Sequence, residues 1–301
     1  MSRIDYELLA ALAAVAREGS FDAAARSLGV TQSAVSQRVK QLEDRVGEAL
    51  VVRGRPCVAT PTGLRLIEHL EQVIILQREL NDDLGRLVGS GPRLVPTIRV
   101  SVNNDSLATW FPHVIKRVKD ELNLRLDIIP DDQAFTEERL RAGEASAIVT
   151  SMDRPIPGFR RSHLGIMTYR AVAAPQIYER HFANGVSAET IRGTPCLVWD
   201  RKDTIQDQWM ALALGEVVAV TTHSVPSYVG YVECCLNGTA WGIVPTQAAA
   251  PYLKSGALVA LSPGTDLQLS LFWHASKRPS ATLSKLEKIL IDVAGDHLSP
   301  I

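Results

Sequence analysis

The chain has 301 residues, of which 46% are hydrophobic and 22% charged, and its 32 basic and 33 acidic side chains give a formal charge of −1. This balance excludes a uniformly basic protein that coats nucleic acid, and it excludes an acidic disordered chain. The length suits about two domains, each large enough to bury its own core.

The sequence gives no sign of export or of a membrane anchor. Its N-terminus contains Asp5 and Glu7 and lacks a basic region followed by a long apolar stretch, unlike a secretory signal. The most apolar late segment, residues 211–220, is much shorter than the roughly 18 apolar residues of a membrane span. The cysteines form neither a CxxC pair nor a regular disulfide framework. Together these features predict a cytoplasmic protein with reduced thiols.

Residues 1 to about 60 predict three short helices separated by glycines. Helical apolar spacing in the first helix ends at Gly19, and Ser20 then caps a second helix that ends at Gly29. Thr31 caps a third helix that extends to about Val46. At 100° per residue, one face of the third helix is an apolar stripe made of Val35, Val39, Leu42 and Val46.

The opposite face of the third helix is polar and lacks carboxylates. It contains Ser33, Ser36, Gln37 and Lys40. Two short helices joined by a tight turn, the second with hydrogen-bonding side chains near its start, are typical of a helix-turn-helix that enters a major groove. Gln and Lys side chains reach base edges or phosphates, and Ser can bond to either. The alternative is an ordinary three-helix fragment whose polar face is solvated.

The next segment favours the DNA-binding interpretation. Residues 49–52 and 57–59 predict a small two-stranded wing, and Arg53 and Arg55 lie at its tip. A basic tip just beyond a recognition helix supplies a second contact to the phosphate backbone.

A long helix is predicted from Thr60 and Pro61, a cap followed by a first-turn proline. It has about 27 residues and a length of roughly 40 Å. Such a rod cannot bury its apolar stripe against the small N-terminal domain alone, so we predict a dimerisation helix. The alternative is a helix that lies on its own C-terminal domain. The stripe contains Leu66, Leu70, Val73, Leu76, Leu80, Leu84 and Leu87.

After a linker at residues 89–92, short apolar runs alternate with helical segments, which is typical of α/β structure. About 210 residues of this kind can form two similar lobes with ligand space at the carboxyl ends of the strands. The predicted strands are 98–102, 124–129, 146–150, 171–174, 196–199, 217–221, 241–244 and 269–273.

The order of these parts resembles the LysR-type transcriptional regulators over essentially the whole chain. In the N-terminal part the resemblance depends on Gly19-Ser20-Phe21, Ala24-Ala25, Leu28, residues 31–39, Leu42-Glu43, Gly47, Leu50 and Arg53. Within that family the chain looks most like the regulators of lysine and arginine export. That subfamily is marked by Asn103, residues 105–110, residues 138–141, Trp241-Gly242 and Trp273.

The resemblance implies an α+β multidomain protein. A winged helix-turn-helix at 1–60 is followed by a dimerisation helix and hinge at 61–91 and an effector domain at 92–301. The effector domain is expected to be α/β, bilobed and similar to periplasmic binding proteins. Lobe one is expected at about 92–165 and 270–301, and lobe two at about 166–269.

The resemblance also implies the function and the partners. The expected function is activation of an amino-acid exporter gene under the control of a basic amino acid. The expected partners are double-stranded promoter DNA, a second copy of the chain in a homodimer or homotetramer, and RNA polymerase. No cofactor, metal site or catalytic residue is expected.

Transferred residue by residue, the DNA contacts are Gln32, Ser33, Ser36, Gln37 and Lys40 on the helix, with Arg53 and Arg55 on the wing. Arg38 is secondary because it lies beside the core stripe. The effector site is expected where the first strand of lobe one passes into a helix, whose free N–H groups can hold a carboxylate. Its residues are Asp105, Ser106, Thr109, Trp110, Asp131, Asp132, Asp203, Ser227 and Trp273.

Several of these assignments have plain alternatives. Asp105 can be a simple N-cap, and Asp131 and Asp132 can lie in a solvated loop. An acid expected after a Ser or Thr at a helix start of lobe two is missing, because this chain has Ser227-Tyr228-Val229. Asn104 also replaces a small residue of the subfamily pattern, which indicates a different preference among amino acids.

The residues leave two rival functions to compare with a regulator. The first is an enzyme, which lacks support because the seven histidines are scattered and no nucleophile elbow, metal-ligand His pair or glycine-rich phosphate loop is present. The second is an architectural or replication-origin DNA binder that needs no effector. The charge distribution favours DNA binding by one part, since residues 31–65 have six basic and three acidic side chains and the rest of the chain is acidic.

Overall fold

The computed structural model describes most of the chain, namely residues 5–83, 96–122, 124–130, 136–142, 144–277 and 280–300. Within these residues, no helix is both long enough and apolar enough to cross a lipid bilayer.

The N-terminal part is a three-helix unit followed by a two-stranded wing. The Ser20 and Thr31 hydroxyls accept hydrogen bonds from backbone N–H groups at the starts of the second and third helices, as predicted. Gly19, Gly29 and Gly47 end the three helices in the left-handed conformation. The elements are α1 (Tyr6–Glu18), α2 (Phe21–Leu28), α3 (Gln32–Val46), β1 (Val51–Val52) and β2 (Val58–Ala59).

A carboxylate of α3 holds the start of the wing. Glu43 Oε1 accepts hydrogen bonds from the backbone N–H groups of Leu50 (2.9 Å) and Val51 (3.4 Å). The tip of the wing is fixed from the other side, because Cys57 N donates to the Gly19 carbonyl at 2.8 Å. The wing therefore has a defined position relative to α3.

The long helix α4 (Pro61–Asp83) contacts both parts of the chain. Leu70 packs into the core of the N-terminal unit, and one turn later Ile75 is buried in the core of the C-terminal part. Gly63 lies against β1 so closely that a Cβ there would be 2.3 Å from the Leu50 carbonyl oxygen. On the uncovered side, Leu76 and Leu80 are 57% and 53% exposed.

Polar contacts attach the second half of α4 to lobe one. Glu71 Oε2 accepts from Thr97 N at 3.0 Å, and Glu79 Oε1 accepts from Thr282 N at 2.7 Å. The Arg78 guanidinium donates to the Leu122 carbonyl at 3.1 Å. This half of α4 therefore follows the alternative interpretation of the sequence, a helix that lies on its own C-terminal domain. Leu84 and Leu87 lie outside the described residues.

The C-terminal part alternates strands and helices. Its elements are β3 (Thr97–Val102), α5 (Asn104–Ala108), α6 (Phe111–Leu122), β4 (Arg125–Pro130), α7 (Thr136–Ala142), β5 (Ala147–Thr150), β6 (Phe159–Ala173), α8 (Pro175–Ile177) with a π-helical turn (Tyr178–Phe182), α9 (Ala188–Arg192), β7 (Cys196–Val198), α10 (Ile205–Leu214), β8 (Thr222–Ser224), α11 (Tyr228–Leu236), β9 (Gly242–Pro245), α12 (Thr246–Ser255), β10 (Val259–Ala260), β11 (Leu267–Ser276) and α13 (Ala281–His297).

Strand β6 belongs to both lobes. In lobe one the strand order is β4-β3-β5-β11-β6, with β3 parallel to β4 and β5, and β11 antiparallel to β5 and β6. In lobe two the end of β6 pairs with β9 on one edge and β10 on the other. Strand β7 pairs with β8 and is joined to β9 through a bridge between Cys196 and Trp241. The predicted bilobed α/β architecture is confirmed.

Two of the predicted strands differ from the structure. Strand β6 has 15 residues, whereas only its last few were predicted, because Arg160, Arg161 and His163 interrupt the apolar pattern of its first half. The strand predicted at residues 217–221 is wrong, since the pairing segment is the exposed β8 that follows it. Val218 is nevertheless buried, so the apolar run packs without forming a strand.

Candidate nucleic-acid interface and effector cleft

The polar face of α3 is available at the surface. Gln32, Ser33, Gln37 and Lys40 are exposed, and Ser36 is partly buried. On the other side of the helix, Val35, Val39 and Leu42 are buried as predicted, but Val46 is 38% exposed. The helix thus presents amide, hydroxyl and ammonium groups to a partner.

The start of α3 already has an internal hydrogen-bond network. Thr31 Oγ1 accepts from Ala34 N at 3.2 Å and lies 3.0 Å from Ser33 Oγ. Further along the helix, Arg38 forms an ion pair with Glu7 of α1 at 3.2 Å. That pairing is consistent with the secondary role given to Arg38, while Gln37 and Lys40 point outward.

The two wing arginines have different surroundings. The Arg53 guanidinium lies over the Phe21 ring of α2, 5.5 Å from its centroid, which orients a long side chain without neutralising its charge. Arg55 is exposed at the tip. A fixed cation and an exposed one beside the polar face of α3 suit contacts with a phosphate backbone.

The second candidate site lies between the lobes and is centred on Asp105, in the first turn of α5. Asp105 Oδ2 accepts from the Tyr169 hydroxyl of β6 at 2.8 Å. Burial raises the pKa of Asp105 to about 6, with the Tyr169 hydrogen bond opposing the rise and the charge of Asp203 adding to it. This carboxylate is costly to ionise unless a cation lies beside it.

Asp203 lies in lobe two, in the loop before α10. Its Oδ2 accepts from Trp199 N (2.8 Å) and Gln206 Nε2 (3.2 Å), and its Oδ1 accepts from Ile205 N (3.1 Å). Its charge adds to the rise in the pKa of Asp105 that burial causes, so the two expected carboxylates influence each other. Asp203 also has a clear structural task, which is to shape the loop that enters α10.

The other expected residues in or just after α5 form hydrogen bonds within this segment. Ser106 is buried and its Oγ accepts from Trp110 Nε1 at 3.0 Å, and the Trp110 side chain has no exposed surface. Thr109 Oγ1 donates to the Asp105 carbonyl at 2.6 Å. These side chains therefore support the turn that presents Asp105.

The remaining expected residues are spread more widely. Ser227 Oγ caps α11 by accepting from Gly230 N at 3.3 Å. Trp273 is fully buried in β11, where it is paired with Val149 and Ser162, and its Nε1 has no hydrogen-bond partner among the described residues. Asp131 and Asp132 lie outside the described residues.

Sequence reasoning missed two tyrosines near Asp105. Tyr169 bonds to Asp105 from the long strand β6. Burial raises the pKa of Tyr228, at the start of α11, and the charge of Asp105 adds to the rise. Both are far from Asp105 along the chain, so no local spacing points to them. The only signal in the sequence was the unusual Ser227-Tyr228 pair, where an acid was expected nearby.

Comparisons with known proteins agree with this architecture. Residues 6–64 match the family described as "Bacterial regulatory helix-turn-helix protein, lysR family", and residues 93–295 match "LysR substrate binding domain". The chain is 38% identical over 297 residues to the HTH-type transcriptional regulator ArgP of Pseudomonas fluorescens, covering 99% of each. It is also 38% identical over 284 residues to LysG of Mycobacterium tuberculosis, covering 94% of this chain and 91% of LysG.

Two solved structures are similar over almost the whole chain. The crystal structure of ArgP from Mycobacterium tuberculosis has a TM-score of 0.72 and 35% identity, covering 99% of this chain and all of that one. Full-length LysG from Corynebacterium glutamicum, solved with bound effector Arg, has a TM-score of 0.62 and 30% identity with the same coverage.

The family matches cover both parts of the chain, and the relatives are named as transcriptional regulators rather than enzymes. The winged unit and the bilobed domain supply the DNA-binding and effector-binding parts that such regulators use. The chain belongs to the LysR family of bacterial transcriptional regulators, which bind DNA and respond to small-molecule effectors.

Proposed function

We propose that the effector is a basic amino acid that binds between the lobes with a cationic group against Asp105. The observation that supports this most directly is the Asp105 carboxylate, which is held by Tyr169 and is influenced by the charge of Asp203. Two acidic side chains across one cleft, without a basic partner for Asp105 in the described residues, leave a negative site that a cation completes. The names ArgP and LysG, and the arginine bound to a relative, point to the same class of ligand.

The DNA contacts are proposed for seven side chains. Those of α3 enter the major groove and read base edges, while the wing arginines bind the phosphate backbone. Exposure of the α3 face and the fixed position of the wing support this division. The contacts are Gln32, Ser33, Ser36, Gln37, Lys40, Arg53 and Arg55.

Helix α4 is proposed to pair with the same helix of a second chain. Its uncovered side exposes Leu76 and Leu80, and a matching helix is the simplest cover for such a stripe. We propose a homodimer, or two dimers in a tetramer, with residues 61–91 as helix and hinge between the winged unit and the effector domain. Half-sites on promoter DNA then match the two winged units.

Regulation follows from differential affinity. The effector binds the closed arrangement of the lobes more tightly, closure shifts the subunits, and the winged units then hold promoter DNA differently. Because α4 is bonded to lobe one through Glu71, Arg78 and Glu79, lobe two is the part that moves relative to the DNA-binding unit. We propose that this change recruits RNA polymerase to an amino-acid exporter gene in the cytoplasm.

Titration of the full chain with amino acids tests the proposal. Lysine, arginine and histidine are compared with norleucine and glutamine by thermal shift and by footprinting on the promoter DNA. We expect at least one basic amino acid to raise the melting temperature and to change the footprint. If all three leave both unchanged, the basic-amino-acid effector is wrong, and DNA binding that persists unaltered supports the architectural binder instead.

A further inference from the structure

Tyr228 has a buried hydroxyl that nothing in the described part of the chain satisfies. It is the first residue of α11, where Ser227 forms the cap, and α11 packs against α5. The Tyr228 hydroxyl is buried and has no hydrogen-bond partner, although the next side chain, Val229, is 72% exposed. A buried polar group without a partner is costly, so such a group in a binding cleft indicates a contact that a ligand completes.

A charged hydrogen-bond acceptor, the Asp105 carboxylate, influences this hydroxyl. The negative charge of Asp105 is close enough to act on the phenol, and burial together with that charge and Tyr252 raises the pKa of Tyr228 to about 12. Tyr228 therefore keeps its proton at neutral pH and can donate to a carboxylate while its oxygen accepts from a ligand.

Among the described residues, few carboxylate oxygens near Tyr228 are free to accept a further hydrogen bond. Asp203 already accepts from two backbone N–H groups and from the Gln206 amide. Asp105 accepts from Tyr169 through Oδ2, which leaves Oδ1 without a donor in the described residues. A ligand cation beside Asp105 consequently meets one open carboxylate oxygen together with the hydroxyl oxygen and the ring of Tyr228.

This set suits a planar cation with several donors. A guanidinium presents five N–H donors in one plane, is weakly hydrated, and stacks on aromatic rings. An ammonium is compact and strongly hydrated, so its transfer from water needs more compensation than one open carboxylate oxygen gives. The ring and the hydroxyl oxygen of Tyr228 therefore add more to the binding of a guanidinium than to that of an ammonium.

We infer that Tyr228 is a specificity-determining residue of the interlobe cleft, whose hydroxyl and ring bind the cationic end of the effector beside Asp105 and favour a guanidinium over an ammonium. The inference rests on the proposed function, because it assumes that a basic amino acid is the effector. It assigns arginine-type ligands, rather than lysine-type ligands, to this chain.

The test is calorimetric titration of the full chain with L-arginine, L-lysine and L-citrulline, the last of which has the shape of arginine without its charge. The variants are Tyr228→Phe, which keeps the ring, and Tyr228→Leu, which removes it. Tyr178→Phe is the matched control, a partly buried tyrosine in the π-helical turn. Circular dichroism of each ligand-free variant verifies the fold.

We expect the unmodified chain to bind arginine more tightly than lysine, with citrulline far weaker. Tyr228→Phe should weaken arginine binding about tenfold, the effect of losing one hydrogen bond to a charged group. Tyr228→Leu should also abolish the preference for arginine over lysine, and Tyr178→Phe should change neither.

Two results overturn the inference while leaving the proposed function standing. One is equal affinity of the unmodified chain for arginine and lysine, and the other is unchanged arginine affinity in both Tyr228 variants. If the unmodified chain binds neither basic amino acid, the proposed function fails and this inference fails with it.

Discussion

Replacement of Asp105 by Asn should stabilise the effector domain at the same time as it removes effector binding. The pKa of Asp105 is raised from 3.8 to about 6, so the folded state holds this proton more tightly than the unfolded chain does. The stability that the protonated carboxyl contributes is complete below about pH 4 and is lost as the pH rises through about 6. At pH 8 the ionised carboxylate thus costs about 3 kcal/mol, and at pH 5 about half of that.

Asn has the shape of Asp and can still accept the Tyr169 hydrogen bond, but it cannot ionise. Urea unfolding followed by tryptophan fluorescence measures the effect selectively, because all five tryptophans lie at or after residue 110. We expect Asp105→Asn to raise the free energy of unfolding by about 3 kcal/mol at pH 8 and by about half as much at pH 5. Glu179→Gln, at an exposed carboxylate, is the control.

The same unfolding experiment is repeated with effector, which should raise the free energy of unfolding of the unmodified chain and not that of the variant. Arginine or lysine should stabilise the unmodified chain at pH 8 and should leave Asp105→Asn unaffected, because the cation loses its carboxylate. The reasoning is refuted if Asp105→Asn is no more stable than the unmodified chain at pH 8, or if the difference between them does not shrink at pH 5.

Two further predictions concern the DNA-binding unit. Gln37→Ala should cost about 1–3 kcal/mol of discrimination at one base pair, whereas Arg53→Ala should weaken binding to all sequences and lower the slope of log affinity against log salt concentration by about 1. Binding isotherms on cognate and scrambled DNA at several salt concentrations distinguish the two effects. Identical behaviour of both variants contradicts the assignment. Gly63→Ala should destabilise the winged unit by about 1–3 kcal/mol, because the added Cβ would be 2.3 Å from the Leu50 carbonyl oxygen. Hydrogen exchange of α1 to α3 measures this loss, and Gly295→Ala, whose Cβ meets nothing within 4 Å, is the control that should show none.

Local signals in the sequence predicted the N-terminal unit well. Side-chain caps at Ser20 and Thr31 and left-handed glycines at the helix ends are short-range features, so they define α2 and α3 almost to the residue. The wing was predicted for the same reason. By contrast, α4 has polar contacts with lobe one through Glu71 and Glu79, which involve partners as far away as Thr282 and have no local pattern.

The effector cleft was predictable only in part. Asp105 was predicted from its place where a strand passes into a helix, and Asp203 as a carboxylate of the other lobe; burial raises the pKa of Asp105 and the charge of Asp203 adds to the rise. The hydrogen bond from Tyr169 spans 64 residues, and it depends on a strand whose first half alternates poorly in polarity. Packing between distant elements also determines that Ser106 accepts a hydrogen bond from Trp110 and that Trp273 is buried, and composition does not specify this packing.

The bonds from Glu43 to the first residues of the wing have a consequence for how promoters can be regulated. One carboxylate of α3 is bonded to the strand that leads to the tip of the wing, so the proposed base contacts and the proposed phosphate contacts of one subunit belong to a single rigid unit. Such a rigid unit should contact the same few base pairs with and without effector. In the proposed dimer, an effector can then change only the distance and the helical phasing between the two rigid units. Promoters should therefore differ in regulation through half-site spacing rather than half-site sequence.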